Sequence, residues 1–327
     1  MKALFIREFG GPESLEITEV PGPAGPVGDE VIVAVKAAGL NRADILQRKG
    51  LYPPPAGYSA KVPGLEFAGE ITEAGPESSF RPGVRVMGIT AGEAQAEFLK
   101  IASSQLIPIP DNLSFSEAAA LPEAFITAYD ALMSQAGLRS GETVLIHAAG
   151  SGVGLPALRI AKAFGAVTIG TSRTADKLGK CSALGLDHGI VTADGPHFAE
   201  HVMEITRGRG ADVILDLVGG TYFEENLKAL ALRGRLMLVG LTAGRRSEID
   251  LGIALTKRLT IRGTVLRSRS TEEKAAAVAA FRRDLLPMFA RGELRPDLDR
   301  VFKMDDAAEA HVYIESNESF GKVVLEW

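Results

Sequence analysis

Six short apolar segments, spaced through the second half of the chain and mostly separated by helical stretches, most restrict how this chain can fold. Residues 144–147, 167–171, 188–191, 213–217, 236–239 and 259–265 are rich in Val, Ile and Leu and read as strands. Residues 156–164 and 175–184 are among the helical stretches between them. A strand that is apolar throughout, not at every second position, must be covered on both faces. Strands of that kind joined by helical crossovers form a parallel, doubly wound sheet. The expected fold class is therefore α/β, with this sheet spanning residues 118–265.

The flanking regions have a different texture. Twelve of the 17 prolines precede residue 118. Proline breaks helices and central strands, so short strands and turns are expected there. Residues 31–36, 69–73, 85–88 and 97–101 are the strand candidates of a compact β-rich domain. Ser116, ahead of Glu117-Ala118-Ala119-Ala120-Leu121, is read as the cap that opens the first helix after it. Ser270-Thr271-Glu272-Glu273 opens another, with an acidic first turn, expected to run to about Arg291 and stop at Gly292. A last strand at residues 321–325 is expected to return to the first domain, which then comprises residues 1–117 and 266–327.

The strongest local signal for chemistry lies where the first strand of the α/β region ends. Val144-Leu145-Ile146-His147 runs into Ala148-Ala149-Gly150-Ser151-Gly152-Val153-Gly154 and then into a helix with Pro156 in its first turn. Glycines let a backbone approach a pyrophosphate, and a helix N-terminus presents unpaired N–H groups and positive potential to it. Gly150, Ser151, Gly152 and Val153 are the expected contacts. The strict Gly-x-Gly-x-x-Gly pattern is not met, because position 155 is Leu. The second strand indicates which dinucleotide binds. An NAD site places an acidic residue there to hold the ribose 2′-hydroxyl. This strand instead ends Gly170-Thr171-Ser172-Arg173, with Lys177 four residues on. Ser172, Arg173 and Lys177 suit a 2′-phosphate, so the expected cofactor is NADPH.

Composition removes several alternatives. A net charge of -5, from 36 basic and 41 acidic residues, argues against a nucleic-acid partner. No apolar run is long enough for a membrane span, and the start of the chain lacks the apolar stretch of a secretion signal. The expected location is cytoplasmic. The lone Cys181 excludes an intrachain disulfide and a thiolate-cluster zinc site.

With that turn, three further segments resemble the zinc-free quinone oxidoreductases of the medium-chain dehydrogenase/reductase superfamily, in particular the zeta-crystallin-like branch. They are Asn41-Arg42-Ala43-Asp44 with Gln47-Arg48-Lys49-Gly50-Leu51-Tyr52-Pro53, then Val62-Pro63-Gly64-Leu65-Glu66-Phe67-Ala68-Gly69, and Leu121-Pro122-Glu123-Ala124-Phe125-Ile126-Thr127-Ala128-Tyr129. Ser151 stands where the branch's Ala-x-x-Gly-x-x-Gly turn has its middle glycine. The resemblance covers nearly the whole chain. It implies a GroES-like β-rich catalytic domain beside a doubly wound Rossmann domain, with the nicotinamide in the cleft between them. Zinc-dependent relatives carry Cys at the position of Asn41 and His at that of Leu65, so no metal is expected. A hydride would pass to a quinone or another conjugated carbonyl.

The same resemblance assigns roles. Asn41 and Thr127 would flank the nicotinamide, and Asp44 would orient neighbouring groups. Tyr52 is either a hydrogen-bond donor to the acceptor carbonyl or a packed aromatic beside Pro53-Pro54-Pro55. Lys322 is either a cofactor contact or an exposed charge, and Glu66 is structural. A homodimer through the edge strand at 259–265 is also implied. Two other readings stay open: an enone or enoyl-thioester reductase, and a crystallin-like NADPH-binding protein with little turnover. Lesser signals are set aside. His197-x-x-Glu200-His201 would place two histidines on one helix face, but away from the expected cleft. Cys181 is read as packing. The basic positions Lys257, Arg258, Arg262, Arg267 and Arg269 are read as a solvated face or a subunit rim.

Overall fold

All six expected strands pair into one sheet in the computed structural model, which describes residues 1–327. Their spatial order is His188–Val191, Val167–Ser172, Thr143–Ile146, Ala211–Asp216, Leu230–Leu238, Thr260–Gly263, and every pairing is parallel. The first strand in sequence thus lies between the second and the fourth. That makes its carboxyl end the switch point at which α/β sheets bind ligands. Val144, Leu145 and Ile146 are wholly buried, as a strand covered on both faces requires. The fifth strand starts six residues earlier than its apolar core suggests. Arg233 takes a left-handed conformation (φ 61°) and the register slips between Ala211 and Val213, so Arg233-Gly234 hides the strand's beginning. The edge strand Thr260–Gly263 leaves all four residues exposed.

The proline-rich part and the C-terminal tail build a second sheet of seven strands. Leu298–Lys303, Lys322–Glu326, Glu30–Leu40, Glu66–Ala74, Arg85–Ile89 and Leu106–Pro108 follow one another, and Phe98–Ala102 also pairs with Glu30–Leu40. The tail does return: Lys322–Glu326 runs antiparallel to the end of Glu30–Leu40, with Val323 opposite Leu40. Alternate residues Val31, Val33 and Val35 face Phe67, Ile71 and Leu99 in the core. The chain therefore forms two units, Met1–Ile126 with Leu266–Trp327, and Thr127–Val265. No helix is long and apolar enough to cross a membrane.

Two helix boundaries differ from the sequence reading. Helix Phe115–Ala119 is capped by Ser114, not Ser116. Ser114 lies three residues before Glu117, so each residue's side chain accepts the other's backbone N–H, at 3.2 and 2.8 Å. The Ser116 hydroxyl instead donates to Glu326. Helix Thr271–Asp284 is capped by Ser270 as expected, but breaks at Leu285 before a second helix, Leu286–Ala290. Pro287 has no N–H for the preceding turn and forces the break.

Outside the sheets, helices Arg42–Arg48 and Ala307–Ser316 are joined through a charge with no exposure. Arg48 donates to Gly10 O at 3.1 Å and to the Glu315 carboxylate at 2.7 Å, and lies 3.2 Å from His311 Nδ1. Burial first, then Arg48, pushes His311 down to about 3, so its ring is neutral and accepts from the guanidinium. Glu315→Gln leaves the buried guanidinium without its counter-charge. It should lower unfolding stability by about 2–4 kcal/mol, below the cost of a fully enclosed pair, because Glu315 keeps some solvent contact. Urea denaturation of the two proteins measures the difference.

Candidate active site and cofactor site

In the GroES-like unit, three strand ends bring Asn41, Glu66 and Lys322 together. The pairing of Val323 with Leu40 sets Lys322 beside Asn41, and the pairing of Phe67 with Ala38 sets Glu66 beside Gly39. Lys322 Nζ donates to Glu66 Oε1 at 2.5 Å, Asn41 Oδ1 at 2.7 Å and Leu40 O at 3.3 Å. Asn41 Nδ2 donates to the same Glu66 oxygen at 2.9 Å, and the backbone N–H of Glu123 donates to Glu66 Oε2 at 2.8 Å. A Cβ on Gly39 would fall 2.3 Å from Glu66 Oε1 and 2.6 Å from Ala119 O, so only glycine leaves room for the carboxylate. Lys322 is buried and is not the exposed charge that the sequence left open.

Asp44 is buried on helix Arg42–Arg48 and accepts the N–H of Asn41 at 2.8 Å and that of Gly64 at 2.9 Å. It thereby ties the start of that helix to the turn before Glu66. Burial outweighs these bonds and pushes its carboxyl up to about 6. Beside it lies a cation that the sequence reading placed on a solvated face. Arg267 is buried, donating to Ala91 O at 2.8 Å, to Tyr52 O at 2.9 Å and to the Gln47 side chain. Its guanidinium also covers the Tyr52 ring, 4.9 Å from the centroid. Burial lowers Arg267 and raises Tyr52, whose hydroxyl makes no hydrogen bond within the chain. Glu123 and Thr127 lie one turn apart on helix Pro122–Tyr129.

Arg267 and Lys274 lie outside the segments singled out in the sequence for the resemblance, and Gln47 and Glu123 lie inside two of them without a role assigned to either. Arg267 looks like one of several surface bases. Glu123 and Lys274 look like ordinary first-turn charges. Only the fold shows that they lie close to one another.

In the Rossmann unit, the expected turn sits at the switch point. Ala148 adopts a left-handed conformation (φ 48°), and Gly154 opens helix Gly154–Ala163. A Cβ on Gly154 would lie 2.3 Å from Ala148 O, so this third glycine is what lets the helix pack against the turn. Gly150 is buried, and Ser151, Gly152 and Val153 are half-buried. Ser151 Oγ accepts the Gly154 N–H at 3.0 Å, while the amides of Gly152 and Val153 have no acceptor in the chain. These residues therefore fit a dinucleotide pyrophosphate. Strand Val167–Ser172 ends without a carboxylate; Ser172 is buried and Arg173 is exposed with no intrachain bond. Lys177, half-buried, already has a partner inside the chain.

A buried polar chain beneath the turn also escaped the sequence reading. His147 Nδ1 lies 2.9 Å from Thr171 Oγ1, and its Nε2 lies 2.6 Å from Asn226 Oδ1. Asn226 Nδ2 donates to Asp216 Oδ2 at 2.9 Å, and Asp216 Oδ1 accepts the amides of Val218 and Gly219, both at 2.8 Å. Because Asn226 gives its N–H to Asp216, its oxygen must accept from His147, which places the imidazole proton on Nε2. Burial lowers His147 and keeps it neutral. The chain pins the ends of three neighbouring strands. Of the discounted signals, Cys181 is buried, and helix Ala199–Ile205 starts after His197, so the two histidines do not share a helix face.

Residues 28–128 match the family model described as alcohol dehydrogenase GroES-like domain, and residues 152–281 match the one described as zinc-binding dehydrogenase. A quinone oxidoreductase of Pseudomonas aeruginosa is 35% identical over 99% of both chains. Among solved structures, an enoyl reductase named JamJ superposes with a TM-score of 0.90, at 28% identity, over 99% of this chain and 98% of its own. An NAD-dependent alcohol dehydrogenase (TM-score 0.87, 34% identity) and a mycobacterial protein complexed with NADPH (0.87, 28%) each match over the full length of both chains.

Asp44 generates a pH-dependent prediction. Its folded pKa, about 6, lies above the ordinary value of 3.8, so the native state holds the proton more tightly. Its contribution to stability is full below pH 3.8 and is lost as pH rises through about 6. The stability of the wild type relative to Asp44→Asn should therefore fall between these limits and level off above them. Urea unfolding of both proteins across that range checks it; a pH-independent difference would contradict the assignment.

Proposed function

The chain belongs to the zinc-free quinone oxidoreductase family of the medium-chain dehydrogenase/reductases, and we propose that it is an NADPH-dependent reductase of quinones. The observation that carries the cofactor assignment is the end of strand Val167–Ser172. No carboxylate stands there to hold a ribose hydroxyl, and the unpaired Arg173 beside Ser172 suits a 2′-phosphate. When bound, the reduced nicotinamide supplies the hydride. The amides of Gly152 and Val153 would hold its pyrophosphate, with Gly150 and Ser151 lining the turn.

Asn41 would contact the nicotinamide ring. Asn41 cannot turn away, because Glu66 and Lys322 hold both ends of its amide. Lys322 acts through that grip, and Asp44 fixes the backbone on which Asn41 sits. Asn41 and Leu65 stand where zinc relatives carry Cys and His, so no metal polarises an alcohol. The acceptor must already be electrophilic, as quinones are. Tyr52 offers its hydroxyl to the acceptor carbonyl from a ring held by Arg267. The same hydroxyl, together with the likeness to an enoyl reductase, supports reduction of conjugated enones as the second reading. The exposed strand Thr260–Gly263, beside helix Leu251–Lys257 with no buried residue, supports a homodimer formed edge to edge. Light scattering that returns the monomer mass would reject it.

NADPH oxidation with a quinone panel, an enone panel and an NADH control tests the activity. Quinone turnover with preference for NADPH is expected, and turnover only with enones would select the second reading. Arg173→Ala should weaken NADPH binding by about tenfold to a hundredfold, the loss of one charge-assisted bond, and leave NADH nearly unchanged. Equal losses for both cofactors, measured by fluorescence titration, would refute the phosphate contact.

A further inference from the structure

Nearly every polar group around Asn41 is committed. Glu66 shares its oxygens among Lys322, Asn41 and the Glu123 backbone, and Asp44 is held by two amides. Arg267 is anchored to two carbonyls and Gln47. Glu123 is the exception. Its backbone is fixed by Glu66, but its half-buried carboxyl makes no hydrogen bond or ion pair within the chain. The groups that face it are Glu66 and Asp44, the cations Lys322, Lys274 and Arg267, and the Tyr52 phenol.

We propose that Glu123 is the acid that delivers the proton completing reduction of the acceptor, so that the site serves two-electron acceptors that end protonated: enones, and quinones taken to the hydroquinone. This inference rests on the hydride-transfer reading above. Addition of the hydride that a bound nicotinamide would supply would give the acceptor two electrons and leave it as an enolate or a phenolate-like oxyanion. The O–H bond of Glu123 then breaks, and its proton forms a C–H bond on the enolate or an O–H bond on the hydroquinone. Glu123 remains as a carboxylate. Lys274, Lys322 and Arg267 stabilise that charge until water returns the proton through the exposed side of the residue.

Electrostatics support the arrangement. Burial first, then the Glu66 carboxylate, push Glu123 up to about 8, with Asp44 adding and Lys322 and Lys274 opposing. The acid is therefore protonated at neutral pH, as a proton donor must be. Its place in the first turn of helix Pro122–Tyr129 favours the carboxylate left behind.

Glu123→Gln keeps the backbone bond to Glu66 but carries no acidic proton. It should lower enone turnover by about 10²–10⁴-fold while NADPH binding stays within about twofold, the spread of a site left intact. The wild-type rate should decline as pH rises through about 8; that decline should vanish in Glu123→Gln and persist in Glu123→Asp. Independently of turnover, infrared difference spectra of the ligand-free protein should show a protonated carboxyl band that titrates near 8 and is missing in Glu123→Gln. Suppose the wild type reduces acceptors but Glu123→Gln matches its rates and pH profile, or the band titrates near 4.5. Glu123 is then not the donor, while the hydride-transfer reading stands. If the wild type reduces neither acceptor panel, that reading falls and the proton donor falls with it.

Discussion

The ion pair of Glu66 and Lys322 is the interaction on which the GroES-like unit's chemistry depends. Neither side chain has appreciable solvent contact, at 0% and 4% exposure. Charges so buried survive only when nearly every lone pair and proton is matched, and removing one partner of such a pair costs about 3–5 kcal/mol. Here the matching groups are Asn41, Leu40 O and the Glu123 amide. A single buried carboxylate therefore joins three strand ends to the first turn of a helix. The residues that it fixes are those assigned to the nicotinamide and to the proton.

The Rossmann unit solves a parallel problem with a chain of hydrogen bonds in place of an ion pair. Thr171, His147, Asn226 and Asp216 pass hydrogen bonds along the carboxyl ends of three neighbouring strands, ending on the amides of Val218 and Gly219. His147 immediately precedes the phosphate turn, so the turn inherits its position from a side chain that is itself fully buried. Rigid support of this kind lets backbone amides wait, unpaired, for an anion. The two units differ in what they leave open: two amides in one, and a carboxyl and a phenol in the other.

Local signals in the sequence held up where the physics is local. Six apolar strands, the glycine turn and the Ser270 cap follow from periodicity, Cβ sterics and hydrogen-bonding geometry, which act over a few residues. The misplaced boundaries are local too. Ser116 and Ser114 compete for one cap, and only Ser114 has Glu117 three residues on to answer it. A helical pattern ran through Pro287 unbroken because periodicity does not register a missing N–H.

By itself, the sequence determined the α/β alternation, the glycine turn and the missing acid at Ser172-Arg173. Each is a property of residue type at a short spacing. Tertiary structure alone decided that Arg267 is buried against Tyr52, that Lys322 grips Asn41 and Glu66, and that Glu123 has an unpaired carboxyl among them. Those residues lie up to 281 positions apart in sequence, as Asn41 and Lys322 do. Burial and charge proximity, which set their chemistry, arise only when the strands pair.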